Sequence, residues 1–248
     1  MDQHRAFARA SVVRRARLVA GALPLVLLAA CGGTAPAVDA DGWRTLFNGS
    51  DLSGWNVVGD ANWRVEGRAA RADQSTMASF LVSEDRFADF DLELEFWVDT
   101  EANSGVFLRC QDPGTITDTS CYEANIFDTR PDQTYRTGAI VNVAEPAEFV
   151  YTGGQWNRFA ITADGNRLQV TLNGRTMVDT EDSRFSSGPI ALQYAAGTVM
   201  FRNVRIRERT RRTSNGVFAP LVDRMPLALT RLAVGDSPMK PAAADPAS

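Results

Sequence analysis

The 248-residue chain carries 26 basic and 30 acidic residues, a net charge of −4, with one lysine (Lys240) and one histidine (His4). That acidic balance argues against nucleic acid as a partner, because phosphate recognition relies on concentrated Lys and Arg. A lone imidazole at position 4 leaves the body of the chain without material for Ser-His-Asp or Cys-His triads, or for His-rich zinc sites.

Arg14, Arg15 and Arg17 precede an apolar run, Leu18–Ala30, too short to span a bilayer comfortably and built like a secretory signal. The run ends in Leu28-Ala29-Ala30-Cys31-Gly32, which resembles the lipobox of bacterial lipoproteins, where the cysteine is acylated; small residues before Cys31 also fit simple cleavage. Gly32 in place of an aspartate predicts an exported lipoprotein of the outer membrane facing the periplasm, touching the membrane through its lipid anchor alone. Removing residues 1–30 takes away His4, five arginines and Asp2, so the net charge becomes 21 − 29 = −8. Acid–base work then falls to Asp, Glu or Tyr, or to a metal-bound water. Residues 31–41 read as a lipidated tether, 42–209 as one domain, and 210–248 as a flexible tail with one short apolar stretch, Met225–Val234.

Within the domain, short strands are predicted first at Thr45–Phe47, Trp63–Glu66 and Phe80–Val82. Asp91–Val98 follows, with Leu92, Leu94, Phe96 and Val98 on one parity and Asp91, Glu93, Glu95 and Trp97 on the other. Val106–Cys110 sets Val106 and Leu108 against Phe107 and Arg109, and Tyr122–Phe127 sets Tyr122, Ala124 and Ile126 against Glu123, Asn125 and Phe127. Cys110 and Cys121 bracket a turn-rich segment between these strands, and an exported compartment allows them to pair, with two free thiols as the alternative. A disulfide closing such a loop contributes about 3 kcal/mol.

Ala139–Val143 is a further strand candidate. Asp164-Gly165 and Asn173-Gly174 punctuate Trp156–Ala163, Arg167–Leu172 and Arg175–Asp179, predicting a three-strand meander, and Pro189–Gln193 and Val199–Arg207 complete the set. So many short strands without a convincing helix predict an all-β, two-sheet sandwich. If Asp91–Val98, Val106–Cys110 and Tyr122–Phe127 share one sheet, its outer surface gathers carboxylates, an arginine, an amide and rings. Such a mixture suits a carbohydrate, whose hydroxyls need polar partners and whose C–H faces stack on rings. The plainer reading of Glu95, Arg109 and Glu123 is a cross-strand salt-bridge network.

An ordered set of motifs over about residues 42–208 carries a family resemblance. Leu46-Phe47-Asn48-Gly49-Ser50-Asp51-Leu52-Ser53-Gly54-Trp55 resembles the opening of the 3-keto-disaccharide hydrolase family. Phe90–Phe96, Asn103–Arg109, Tyr122-Glu123 with Asp128, Thr137–Ile140, Gln155–Asn157, Leu172–Gly174, Gly188–Ile190 and Phe201–Ile206 are similar to that family in the same order. The resemblance implies a concanavalin-like jelly-roll sandwich. It also implies action on oxidised (3-keto) glycosides as a 3-keto-glucoside 1,2-lyase and 2-hydroxy-glucal hydratase.

A C3 ketone acidifies the C2 proton, so a carboxylate can remove it while the C1 substituent leaves. This chemistry needs a base, a stabiliser for the enolate oxygen and a proton for the leaving group. The expected roles are Glu123 as base, Arg109 as enolate partner and Glu95 as acid or metal ligand, with Asn103, Asn125 and Asp128 orienting hydroxyls. Trp97, Phe107, Gln193 and Tyr194 complete the expected substrate contacts, and a divalent metal on oxygen ligands is compatible with the resemblance. The pattern departs at Gln193-Tyr194-Ala195-Ala196-Gly197, where many relatives carry Gln-Asp-His-Gly, and at Asn125, where they carry glutamine. A non-catalytic carbohydrate-binding module and, third, a retaining glycosidase are the alternatives.

Overall fold

The computed structural model describes residues 38–210. The run Leu18–Ala30, Cys31 and the stretch Met225–Val234 lie outside them. In chain order the strands are β1 (Arg44–Thr45), β2 (Trp55–Val58), β3 (Arg64–Glu66), β4 (Ala69–Ala72), β5 (Ser79–Ser83), β6 (Phe90–Val98) and β7 (Ser104–Leu108). They continue as β8 (Tyr122–Ile126), β9 (Trp156–Asp164), β10 (Arg167–Leu172), β11 (Arg175–Glu181), β12 (Ala191–Tyr194) and β13 (Val199–Glu208), with a short 3-10 turn at Gln133–Tyr135. Among the described residues no helix is long and apolar enough to cross a membrane.

The strands form two antiparallel sheets, a concanavalin-like jelly-roll sandwich. The larger runs β11-β10-β9-β6-β13-β4-β3, with β1 also on β13; the smaller runs β2-β5-β12-β7-β8. Alternation along each strand sends one parity into the space between the sheets, where Leu92, Leu94, Phe96, Phe159, Ile161, Leu168 and Phe201 meet Leu81, Val106, Leu108, Tyr122, Ile126 and Leu192. Phe96 and Phe159 lie with ring centroids 4.8 Å apart. The β9–β10–β11 meander forms as expected, and at its second turn Asn173 (φ 50°) and Gly174 (φ 83°) both take the left-handed conformation that a tight hairpin demands.

Other boundaries moved. The strand expected at Val106–Cys110 stops at Leu108, because Arg109 has a φ of 52° and leaves the ladder. Ala139–Val143 forms no strand; Ile140 instead bridges Ala124 and closes a turn with Ala144.

The outer face of the larger sheet is an acid–arginine ladder. Glu95 meets Arg202 at 2.6 Å, Glu93 meets Arg205 at 2.6 Å, and Asp91 meets Arg207 at 2.9 Å and Arg209 at 2.7 Å. Trp156 stacks on Arg202 at 3.8 Å, and Trp43 faces Arg205 and Arg207 at 4.6 and 4.9 Å. Partly exposed pairs of this kind are worth about 0–1 kcal/mol each, so the ladder sets the β6–β13 register more than it stabilises the fold.

Candidate functional site

The outer face of the smaller sheet is chemically different. Its register places Phe107 opposite Glu123 and Gly105 opposite Asn125, with Ala191 beside Phe107 and Gln193 beside Phe80. Phe80, Val82, Phe107, Ala191, Ile116 and the two cysteines form a small apolar cluster of their own on this face. Phe80 and Phe107 pack edge to face at 5.3 Å. The Cys110–Cys121 disulfide is formed, with Cα atoms 4.3 Å apart, and ties the loop 111–120 to this end of the sheet.

Three polar groups here lack partners. The Glu123 side chain is only 8% exposed, and its carboxyl accepts no hydrogen bond from any described residue. Burial pushes its pKa from 4.5 up to about 7; the charge of Asp118 adds to the rise and that of Arg130 opposes it. The carboxyl lies over Gly105, where a methyl group would come within 2.9 Å of Oε1 and 3.3 Å of the Phe107 ring. Glycine at 105 is therefore what leaves the carboxyl room. Asn125 is fully buried and donates from Nδ2 to the Tyr135 carbonyl, which fixes Oδ1 as its free end. That Oδ1 and the Oε1 of Gln193 are both buried without a donor. Leaving such an acceptor unpaired costs about 1–3 kcal/mol, so two unsatisfied amide oxygens beside a buried carboxyl mark this face as the candidate site.

The remaining expected residues are placed elsewhere, and the expected common surface does not form. Glu95 and Trp97 project from β6 on the opposite face of the sandwich. Burial there pushes the Glu95 carboxyl up, but hydrogen bonds from Asn203 and Arg202 outweigh it and hold the group below its ordinary value. Arg109 is fully buried between the sheets, bonded to the carbonyls of Ala88, Gly165 and Phe185 and to Asp89. Its left-handed backbone turns the side chain away from the outward parity assigned to it.

Asp128 is also committed. It accepts from the hydroxyls of Thr137 and Thr152 and from the backbone N–H groups of Thr152 and Gly153, clamping a loop. Tyr194 faces the inter-sheet core, where burial raises its pKa, so its side chain does not join the Glu123 face. Asn103 sits at the end of that face, its backbone bridged to Ala196. Glu123, Asn125, Phe107, Gln193 and Asn103 therefore come together, while Glu95, Arg109, Asp128, Trp97 and Tyr194 do not join them. Gly105 and Arg130 were missed. A glycine inside a strand and directly opposite Asn125 is the signal that could have identified the first.

A hollow of about 520 Å³ opens on the other sheet at the β13 bulge, lined in part by Glu93, Glu95, Arg158, Asn203 and Arg205. Its acids are already held by arginines, so unspent chemistry is concentrated at Glu123 instead. Among the described residues no group of three His, Cys, Asp or Glu side chains is arranged to hold a metal ion. One carboxylate and two amide oxygens come together at Glu123, a donor set on which a divalent cation would need several waters to complete its six or more ligands.

Comparison with known proteins bears on the domain as a whole. The profile of the 3-keto-alpha-glucoside-1,2-lyase-like domain matches residues 42–207. The levanase of Bacillus subtilis (strain 168) is 26% identical over 170 residues, covering 65% of this chain and 24% of the levanase. The 3-keto-disaccharide hydrolase of Bacteroides thetaiotaomicron is 31% identical over 86 residues, covering 30% of each protein. The chain thus spans about a quarter to a third of the length of these curated relatives. A solved structure from Parabacteroides distasonis, provisionally described as a glycosyl hydrolase, superimposes with a TM-score of 0.62 at 19% identity, covering 68% of this chain and 95% of that one; at such identity the likeness is one of fold. With its profile matched across the whole sandwich, the chain belongs to the family of 3-keto-alpha-glucoside-1,2-lyase-like domains.

Proposed function

We propose that the outer face of the five-stranded sheet binds a 3-keto-glycoside and that Glu123 is the base that takes its C2 proton. The observation that carries this is a buried, unpartnered carboxyl whose pKa lies near 7, beside two acceptors that await donors. A base poised at that value is half ionised at neutral pH and still strong enough to abstract an acidified proton. The C2–H electron pair enters the enolate, then forms the C1–C2 double bond as the C1–O bond breaks, and the leaving oxygen takes the proton that Glu123 has just accepted. Addition of water across the new double bond returns the 3-keto sugar. Arg130, whose charge opposes the rise in the Glu123 pKa, is the candidate for the enolate-stabilising role first expected of Arg109. Sugar hydroxyls supply the donors missing at Asn125 and Gln193.

The test is to incubate the protein with a 3-keto-disaccharide and with its unoxidised parent. Turnover of the oxidised sugar alone is expected, with kcat/KM rising as pH passes through about 7, where Glu123 ionises. Binding of the parent without turnover of either sugar would mark a carbohydrate-binding module, and hydrolysis of the parent would mark a glycosidase.

Lipid anchoring at Cys31 belongs to the same proposal, on the strength of the Leu28–Gly32 motif. Cells fed an alkyne fatty acid should label the wild-type chain but not Cys31→Ser; equal labelling of both removes the anchor from the scheme.

A further inference from the structure

Away from the Glu123 face, the segment from Ala147 to Gly153 exposes two rings, Phe149 at 66% and Tyr151 at 70%. Between them lies the guanidinium of Arg136, 4.7 Å from the Phe149 centroid and 4.8 Å from that of Tyr151. Arg136 is itself only 2% exposed, and its Nε has no partner. It is held by Gln133 Oε1 at 2.9 Å and the Val150 carbonyl at 3.4 Å. The segment is also pinned at both ends. Ala147 N–H bonds the Met177 carbonyl at 2.7 Å, and Asp128 grips Thr152 and Gly153. Two aromatic faces are thus held open to solvent by a buried cation and a clamped backbone, which removes most of the ordering cost of binding.

We infer that Phe149 and Tyr151 form a stacking platform for the pyranose rings of a glycan chain, a binding site separate from the Glu123 carboxyl. Aromatic pairs pre-set in this way match the apolar C–H faces of sugars, and the Tyr151 hydroxyl adds a polar handle. Both ring centroids lie within 5 Å of the same guanidinium carbon, so they are at most 4.7 + 4.8 = 9.5 Å apart, a span that one or two sugar residues can cover. The two places are joined through the backbone. Tyr135, whose carbonyl holds the amide of Asn125, immediately precedes Arg136 in the chain. A glycan as occupant rests on the carbohydrate-active reading of the family; its place on this loop rests on the rings and the cation.

Calorimetric titration of the full-length protein with neutral cello-, malto- and laminari-hexasaccharides tests the platform. At least one should bind, and Phe149→Ala/Tyr151→Ala should weaken that binding about tenfold or more. Phe149→Leu/Tyr151→Leu, which keeps an apolar cover over Arg136, should weaken it as much. Turnover of a 3-keto-glucoside with a small leaving group should stay within about twofold of wild type in both variants. Conversely, Glu123→Gln should retain hexasaccharide binding. No binding of any hexasaccharide by the wild-type protein, or unchanged affinity in the leucine variant, overturns the platform. Failure of turnover alone would instead overturn the role of Glu123.

Discussion

Replacing Glu123 with Gln is expected to lower kcat on a 3-keto-glycoside about a hundred- to ten-thousand-fold while making the protein more stable at pH 8. The loss follows from removing the base, since an amide of nearly the same shape cannot accept the C2 proton. The gain follows from linkage. In the folded protein the carboxyl holds its proton up to about pH 7, whereas the unfolded chain releases it near 4.5. Below pH 4.5 both states are protonated and the group costs nothing. Between 4.5 and 7 the unfolded chain ionises first and stability falls; above 7 the full cost of about 3 kcal/mol persists. Glutamine removes that cost, so the melting temperature should rise about 6–12 °C at pH 8 and coincide with wild type near pH 4. Thermal melts at the two pH values, with single-turnover assays beside them, decide the matter. Wild-type turnover in the variant, or a stability gain independent of pH, would remove Glu123 from the mechanism and the buried carboxyl from the explanation.

The fold was largely legible because alternation is a local property, and most of the strands carry it openly. Which sheet a strand joins is not local. Asp91–Val98 and Tyr122–Ile126 each split apolar from polar residues as expected, yet one belongs to the eight-stranded sheet and the other to the five-stranded sheet, so their polar faces point away from each other. The acid-rich parity of β6 faces a row of arginines on β13, and the plainer salt-bridge reading holds for Glu95. Arg109 failed for a different reason. Positive φ at a non-glycine residue has no signature in composition or spacing, and one such residue is enough to swing a side chain from the surface into the core. Glu123 and Asn125 were legible because β8 is regular from end to end, so parity alone carries both to one face. Their lack of partners was not legible, since it depends on a glycine and an amide on neighbouring strands.

Arg109 should behave in the opposite way to Glu123. Arg109→Ala is expected to destabilise the protein by about 3–5 kcal/mol, because it takes the guanidinium away from the buried Asp89, which keeps the Gly165 N–H, and removes the donor from the carbonyls of Ala88, Gly165 and Phe185. These partners lie outside the smaller sheet from which Arg109 projects, so the guanidinium ties the end of β7 to the turn before β6, the β9–β10 turn and the loop after β11. For a domain of this size the melting temperature should fall about 6–20 °C. Lysine in its place keeps the charge but cannot reproduce the planar fork that reaches four acceptors, so Arg109→Lys should fall between alanine and wild type. Assayed below its melting temperature, that lysine variant should keep kcat within about threefold of wild type and show the same rise in kcat/KM near pH 7. A folded Arg109→Lys protein with kcat reduced a hundredfold would put the guanidinium back beside the substrate, where parity alone had first assigned it.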